Sequence, residues 1–218
     1  MKKALILVTL ILVVTASKAQ KDTTNQPKFQ NLGFLLGATQ GVLRLDSRAV
    51  FIPNTSRVLS ASPVSVWGIH AGVFYNIEQE NWIFRPAIEA SIINSHIKYD
   101  VQKTLKEEGY IYPVSIEVPF HVMYKFNKKF VPDILIGARA IFANNSLKSV
   151  QPPTTSFTPN FEAGLSKRTT LGKKNAMRFE LLYSRGISNL HSPEIGNEYS
   201  ESINSVFRDY ISLRIYFN

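Results

Sequence analysis

The chain alternates. From Val114 to Phe126, Val114, Ile116, Val118, Phe120, Val122, Tyr124 and Phe126 form an unbroken apolar row. Ser115, Glu117, Pro119, His121, Met123 and Lys125 form the other, mostly polar row. Successive side chains of a strand point to opposite faces, so this pattern predicts one strand with two unlike faces. Its length exceeds the usual strand of about 5–6 residues and suffices for a tilted bilayer crossing, which takes about 9–11.

The same period recurs along the chain. A first strand begins near Leu32, with Leu32, Phe34, Leu36 and Ala38 on one face. A second covers about Val64 to Ile77, where Ile69, Ala71, Val73, Tyr75 and Ile77 oppose Gly68, His70, Gly72, Phe74 and Asn76. A third covers about Trp82 to Tyr99, with Ile83, Arg85, Ala87, Glu89 and Ser91 on its second face. The fourth is the stretch above. The fifth covers Phe130 to Phe142, the sixth Asn160 to Thr169, the seventh Ala176 to Gly186, and the eighth is the C-terminal stretch from Tyr210. Between them lie short turns, at Glu78–Asn81, Asn127–Lys129 and Leu171–Asn175. Longer loop-like stretches fill 40–63, which could continue the first strand at its base, 100–110, 144–159 and 187–205.

Long and short connections strictly alternate, which reads as an up-and-down meander whose edges vanish on closure. The fold class expected is therefore all-β: an eight-stranded antiparallel up-and-down transmembrane β-barrel. Pro86 and Pro119 cannot donate to a ladder, so each marks either a bulge that bends the barrel or a tolerated irregularity; the sequence leaves both open.

Alternation alone does not say which face is inside. The polar face carries Glu89, Glu117, Glu162 and Glu180 with Arg85, Lys125, Arg139, Arg178 and Arg214. Such a mixed set suits a closed interior, where charges must be paired. Gly33, Gly37, Gly68, Gly72, Gly137 and Gly164 share that face, and small residues make room in a lumen only wide enough for side chains. Aromatics near strand ends on the apolar face (Trp82, Phe84, Tyr75, Tyr124, Phe126 and Phe217) suit interfacial girdles. The apolar rows are thus expected to meet lipid, and the nine charged residues to form a lumen network.

The N-terminus sharpens the location. Met1-Lys2-Lys3, the apolar run Ala4 to Val14, and Ser17-Lys18-Ala19 read as a secretory signal over 1–19. A polar leader follows over 20–30, then the barrel domain over 31–218. The cell outer membrane is the location expected. The 218 residues carry 25 Lys+Arg against 16 Asp+Glu, a formal charge of +9. These bases are scattered rather than clustered among aromatics, which argues against nucleic-acid binding. Lys128, Lys129, Lys167, Arg168, Lys173 and Lys174 gather at the short-turn end and could dock an acidic periplasmic partner. Without cysteine, disulfide, thiolate and Cys-ligated metal chemistry are excluded.

Catalytic readings are weak. Glu89 and Glu117 could act as an acid/base pair, but so many arginines favour ionised, structural carboxylates. His70 and His121 fall on the interior face as packed network members. His96 with Ser95 or Ser91 is the nearest approach to a nucleophile–base pair, and no nucleophile motif surrounds it. His96 and His191 lack further ligands for a metal site. The expectation is no catalytic residue, no cofactor, no metal and no enzyme. The lipid-modifying enzyme is the weakest alternative.

Several motifs carry a resemblance. They are Phe34-Leu35-Leu36-Gly37, Gly68-x-x-x-Gly72, Phe84-Arg85-Pro86-Ala87-Ile88-Glu89, Glu117-Val118-Pro119-Phe120 followed by Tyr124-Lys125, and the end Tyr210-Ile211-Ser212-Leu213-Arg214-Ile215-Tyr216-Phe217. With these marks the chain resembles the PorT-type family of outer-membrane β-barrels from Bacteroidota-type bacteria. The resemblance implies a small monomeric barrel in outer-membrane lipid, an accessory of type IX protein secretion and gliding, with secretion-system or periplasmic proteins as partners. The alternative is a structural barrel or adhesin that binds surface ligands through its long loops.

Overall fold

A computed structural model describes residues 31–49, 57–93, 95–102, 107–111, 114–126, 130–143, 156–171, 175–191 and 201–217. The expected signal and leader lie outside them. Among the described residues twelve strands run in chain order: β1 (Leu32–Ser47), β2 (Arg57–Val64), β3 (Val66–Tyr75), β4 (Ile77–Gln79), β5 (Trp82–Ile93), β6 (Ser95–Gln102), β7 (Glu107–Ile111), β8 (Val114–Tyr124), β9 (Asp133–Ala143), β10 (Phe157–Leu171), β11 (Asn175–Gly186) and β12 (Ile203–Phe217).

Eight of them form the barrel. The ladder runs β3-β1-β12-β11-β10-β9-β8-β5, and β3 pairs with β5 to close the ring. Every pairing is antiparallel. The closure of first strand on last is long and regular, from Phe34 opposite Phe217 to Asp46 opposite Ser205. Closing the ring leaves none of the eight with an unpaired edge.

The wall is inverted relative to a water-soluble protein. Phe34, Leu36, Ile69, Ile136, Leu181 and Leu213 stand on the outside, with Phe34 at 65% exposure. Arg85, Glu89, Glu162, Glu180 and Arg214 stand inside at 1%. Aromatic pairs sit towards the strand ends: Trp82 against Tyr124 at 4.9 Å and Tyr124 against Phe126 at 5.2 Å by the short turns, Phe142 against Phe157 at 5.3 Å by the long connections.

Three expectations about elements are corrected. The loops expected at 40–63 and 100–110 are largely strand: β1 continues to Ser47, and β2, β6 and β7 form a separate three-stranded sheet ordered β2-β6-β7. That sheet packs against the upper ends of β1 and β12 through one apolar core of Leu43, Val58, Ala61, Ile97, Tyr99, Val101, Leu190, Ile203 and Val206. Strand structure also begins earlier than expected after the other two long loops, at Phe157 and Ile203. The expected third strand is two elements, β5 and β6, which belong to different sheets.

The prolines are not bulges. Pro86 lies opposite Phe120, and three residues on, Glu89 lies opposite Glu117, so the register passes through unchanged. Pro119 likewise stays in step with Arg139 on β9. Each proline removes one amide donor without adding a residue, and only an added residue would shift the pairing.

Candidate functional site

Among the described residues the lumen concentrates buried charge, and period two puts it there. Glu89 on β5, Glu117 on β8, Arg139 on β9, Glu162 on β10 and Arg214 on β12 share the inward row of five different strands. Pairing sets Glu89 opposite Glu117, Glu162 opposite Gly137, two residues from Arg139, and Arg214 opposite Glu180 of the layer below.

Arg139 is the hub. Its Nε donates to Glu162 Oε1 at 2.8 Å and its Nη1 to Glu89 Oε2 at 2.9 Å; Nη1 also reaches Glu117. Arg214 stands 3.3 Å from Glu89 and 3.7 Å from Glu162. His121 Nε2 shares a hydrogen bond with Glu162 Oε2 at 2.6 Å, and His70 Nδ1 lies 3.7 Å from Glu89. Two hydroxyls complete Glu117, Ser91 donating at 2.5 Å and Ser115 at 2.9 Å. A planar guanidinium offers five donors in a fixed fork, which is why arginine rather than lysine serves three carboxylates at once.

A second layer lies nearer the short turns. Arg85 pairs with Glu180 and donates from Nε to Asn76 at 2.8 Å. Its guanidinium rests over the rings of Tyr216 at 4.2 Å and Phe74 at 5.2 Å. Ser166 donates to Glu180 at 3.1 Å. Below it, Arg178 pairs with Asp133 at 2.7 Å. Above the hub, Arg208 is buried on the same inward row as Arg214 and stacks over Tyr210 at 4.9 Å.

Room for these side chains comes from glycine. A Cβ at Gly37 would run into the His70 ring and come within 2.8 Å of the Leu213 carbonyl; one at Gly137 would come within 2.6 Å of the His121 ring. Both histidines thus occupy space that any other residue across the ladder would fill.

Of the nine residues expected in the network, Arg85, Glu89, Glu117, Arg139, Glu162, Arg178, Glu180 and Arg214 are buried on inward rows and ion-paired. Lys125 is not among them. It has the inward parity but lies one residue past the end of β8, and its ammonium pairs with Glu78 at 3.1 Å at the rim. Ser91 and Ser95 face inward, while His96 falls on the opposite row of the chain. Lys128, Lys129, Lys173 and Lys174 lie outside the described residues. Lys167 donates to the Val131 carbonyl at 2.9 Å.

Arg208 escaped sequence reasoning because it precedes the expected start of the last strand. Extending the row Arg208, Tyr210, Ser212, Arg214, Tyr216 backwards by two would have found it. Counting it, five guanidinium groups (Arg85, Arg139, Arg178, Arg208, Arg214) face five carboxylates (Asp133, Glu89, Glu117, Glu162, Glu180). Buried charges are tolerable only when so matched. The Glu89–Glu117 pair is clamped on one guanidinium, and each carboxylate is 2% exposed or less, so neither is open to a substrate arriving from solvent. Chemically, the arrangement ties β5, β8, β9, β10, β11 and β12, six of the eight barrel strands, together by ion pairs across the lumen.

No protein-family model matches the chain, and no curated protein matches it. Among solved structures, it is similar to the translocator domain of the autotransporter NalP from Neisseria meningitidis, at 10% identity and a TM-score of 0.37, over 99% of this chain and 96% of that one. It is also similar to the NanC porin, at 9% identity and a TM-score of 0.30, over 85% of this chain and 99% of that one. The eight-strand closure stands on the strand pairings themselves.

Proposed function

We propose that this protein is a small outer-membrane barrel that works as a closed anchor, holding a folded sheet outside the membrane rather than passing solutes through its lumen. The observation that carries the reading is the inversion of the wall, with aromatic and aliphatic side chains outside and paired arginines and carboxylates inside. An exposed apolar surface this continuous calls for hydrocarbon as its solvent. Short turns at one end and long connections at the other orient such barrels with the short turns in the periplasm. The β2-β6-β7 sheet then stands on the outer side.

The closed character rests on the burial of every network side chain, since a continuous water path would wet them. Purified protein reconstituted in planar bilayers is expected to give no discrete conductance steps. Reproducible ion-selective steps would overturn the closed anchor. Recovery of the mature protein in the soluble fraction without detergent would overturn the membrane location.

The finer role follows the PorT-type resemblance: an accessory of protein export, with the outer sheet or the short-turn rim as the contact for partner proteins. What favours an alternative, a surface-ligand binder, is that the outer sheet shares an apolar core with the ends of β1 and β12 and so presents a fixed surface. Normal secretion of cargo proteins in a deletion strain would remove the export role and leave the binder.

A further inference from the structure

On three neighbouring strands the outward row changes from apolar to charged at the same place. Val42 is followed on its row by Arg44 on β1, Ile211 by Asp209 on β12, and Tyr183 by Arg185 on β11. Val42 is opposite Asp209, and Tyr183 is opposite Ile211. Continuing that second register by one rung sets Arg185 beside Asp209. The three charged residues therefore form one outward cluster at the long-connection end of the wall.

The carboxylate in this cluster is fully used within the protein. Asp209 accepts from Arg44 Nε at 2.7 Å, Arg44 Nη2 at 3.2 Å, Tyr183 Oη at 3.1 Å and the Gly186 amide at 3.0 Å. Four donors fill the acceptor capacity of a carboxylate. Its side chain is 6% exposed, against 40% for Arg44. Arg44 is held from the other side as well: Nη2 donates to the Gly186 carbonyl at 2.9 Å, and its guanidinium lies over the Phe207 ring at 4.8 Å. Among the described residues Nη1 has no partner. The cluster thus presents a fixed guanidinium edge and the exposed Arg185, with the balancing acid turned into the wall.

We infer that this face of β11, β12 and β1 docks the phosphate of an outer-leaflet lipid headgroup, with Arg44 and Arg185 as its contacts and Asp209 as the residue that positions Arg44. The inference rests on the membrane reading above. Charge complementarity selects the occupant: arginine's fork matches a phosphate, and the apolar row directly below it suits the acyl chains attached to that phosphate. Because Arg44 is already ordered, little side-chain freedom is lost on binding.

A purely structural role makes a different forecast. The Arg44–Asp209 pair alone would tie β1 to β12 and ignore lipid, and Arg185 would then contribute nothing. The discriminating variant is therefore Arg185→Ala. Native mass spectrometry on the detergent-folded full barrel, incubated with diphosphorylated lipid A or with its dephosphorylated form, reads retained lipid directly. The phosphorylated form is expected to be retained about a hundredfold better, and Arg185→Ala or Arg44→Ala each to lower that preference about tenfold, the size of one charge-assisted contact. Excess inorganic phosphate should fail to displace the lipid. Equal retention of the two lipids, an unchanged preference in Arg185→Ala, or displacement by inorganic phosphate would each overturn the inference. Heat-modifiable gel migration, run alongside, shows that each variant is folded. Insertion of the wild-type barrel into vesicles, read by protease protection, tests the membrane reading separately: failure there overturns that reading, whereas an inserted barrel without phosphate preference overturns this inference alone.

Discussion

The lower and upper parts of this molecule are built from the same strands to opposite plans. On β1, the outward row runs Leu32, Phe34, Leu36, Ala38, and ten residues after Leu36 it has become Asp46. The inward row runs Gly33, Leu35, Gly37, Thr39, Gly41, and then joins an apolar core at Leu43. The change repeats from β5 to β6. Arg85, Glu89 and Ser91 face the lumen, whereas Ile97, Tyr99 and Val101 face the core of the outer sheet, with Lys98 and Asp100 on the other row. Along β1 up to Asp46 and from β5 to β6 the period of two holds; only its sign changes. Apolar burial is driven by water on the other side of the wall. Where the inside is oily, the outside is water. Where the inside is charged, the wall needs an apolar solvent, and the protein's interior is held by ion pairs instead.

The largest expected effect tests that last point. Arg139→Leu leaves Glu89, Glu117 and Glu162 without their shared partner in a site closed to water. Removing one member of a buried ion cluster costs about 3–5 kcal/mol, measured as the shift in urea midpoint of the detergent-folded barrel at constant slope. Arg139→Lys keeps the charge but not the fork and should fall between the two. A midpoint that does not move in Arg139→Leu would mean that water reaches the carboxylates, and the contrast between a dry charged lumen and a dry apolar core would disappear.

Next in size is the outer wall. Leu36→Arg places a charge on the apolar band and should cost about 2–4 kcal/mol in a bilayer. Titrating folding in lipid vesicles against urea measures it. A cost near zero would place Leu36 outside the hydrocarbon and shrink the band.

These forecasts use features that were largely legible in the chain. Strict alternation exposed the eight barrel strands, and the Arg/Glu row with its glycines identified the interior. What was not legible has a common cause. The end of β1 obeys the same period with the sign reversed, and a bulge between Val58 and Ser60 interrupts it on β2, so a search for oily outward rows reads both as loop. Arg44 and Asp209 vanished with them. The identity of each ion pair was also hidden, because Arg139 meets Glu89, Glu117 and Glu162 from three other strands only through the stagger of the closed sheet. Lys125 shows the converse limit: parity placed it inside, but one residue beyond the strand end a side chain is at the rim.

The smallest expected effect is the most informative about where the sign reverses. Asp46→Leu is the mirror of Leu36→Arg, on the same row of the same strand. In the structure Asp46 accepts one exposed hydrogen bond, from Asn204 at 3.3 Å. If water surrounds this part of β1, losing that contact and exposing a leucine should change stability by less than about 0.5 kcal/mol, with vesicle and detergent measurements in agreement. If hydrocarbon instead reaches this level, the leucine gains a lipid contact, and stability rises in vesicles but not once the bilayer is removed. That second result would move the boundary above Arg44 and Arg185. It would bury two arginines in hydrocarbon, where their cost would have to be met by the Asp209 pair alone, and the outer sheet would then begin at the membrane surface rather than above it.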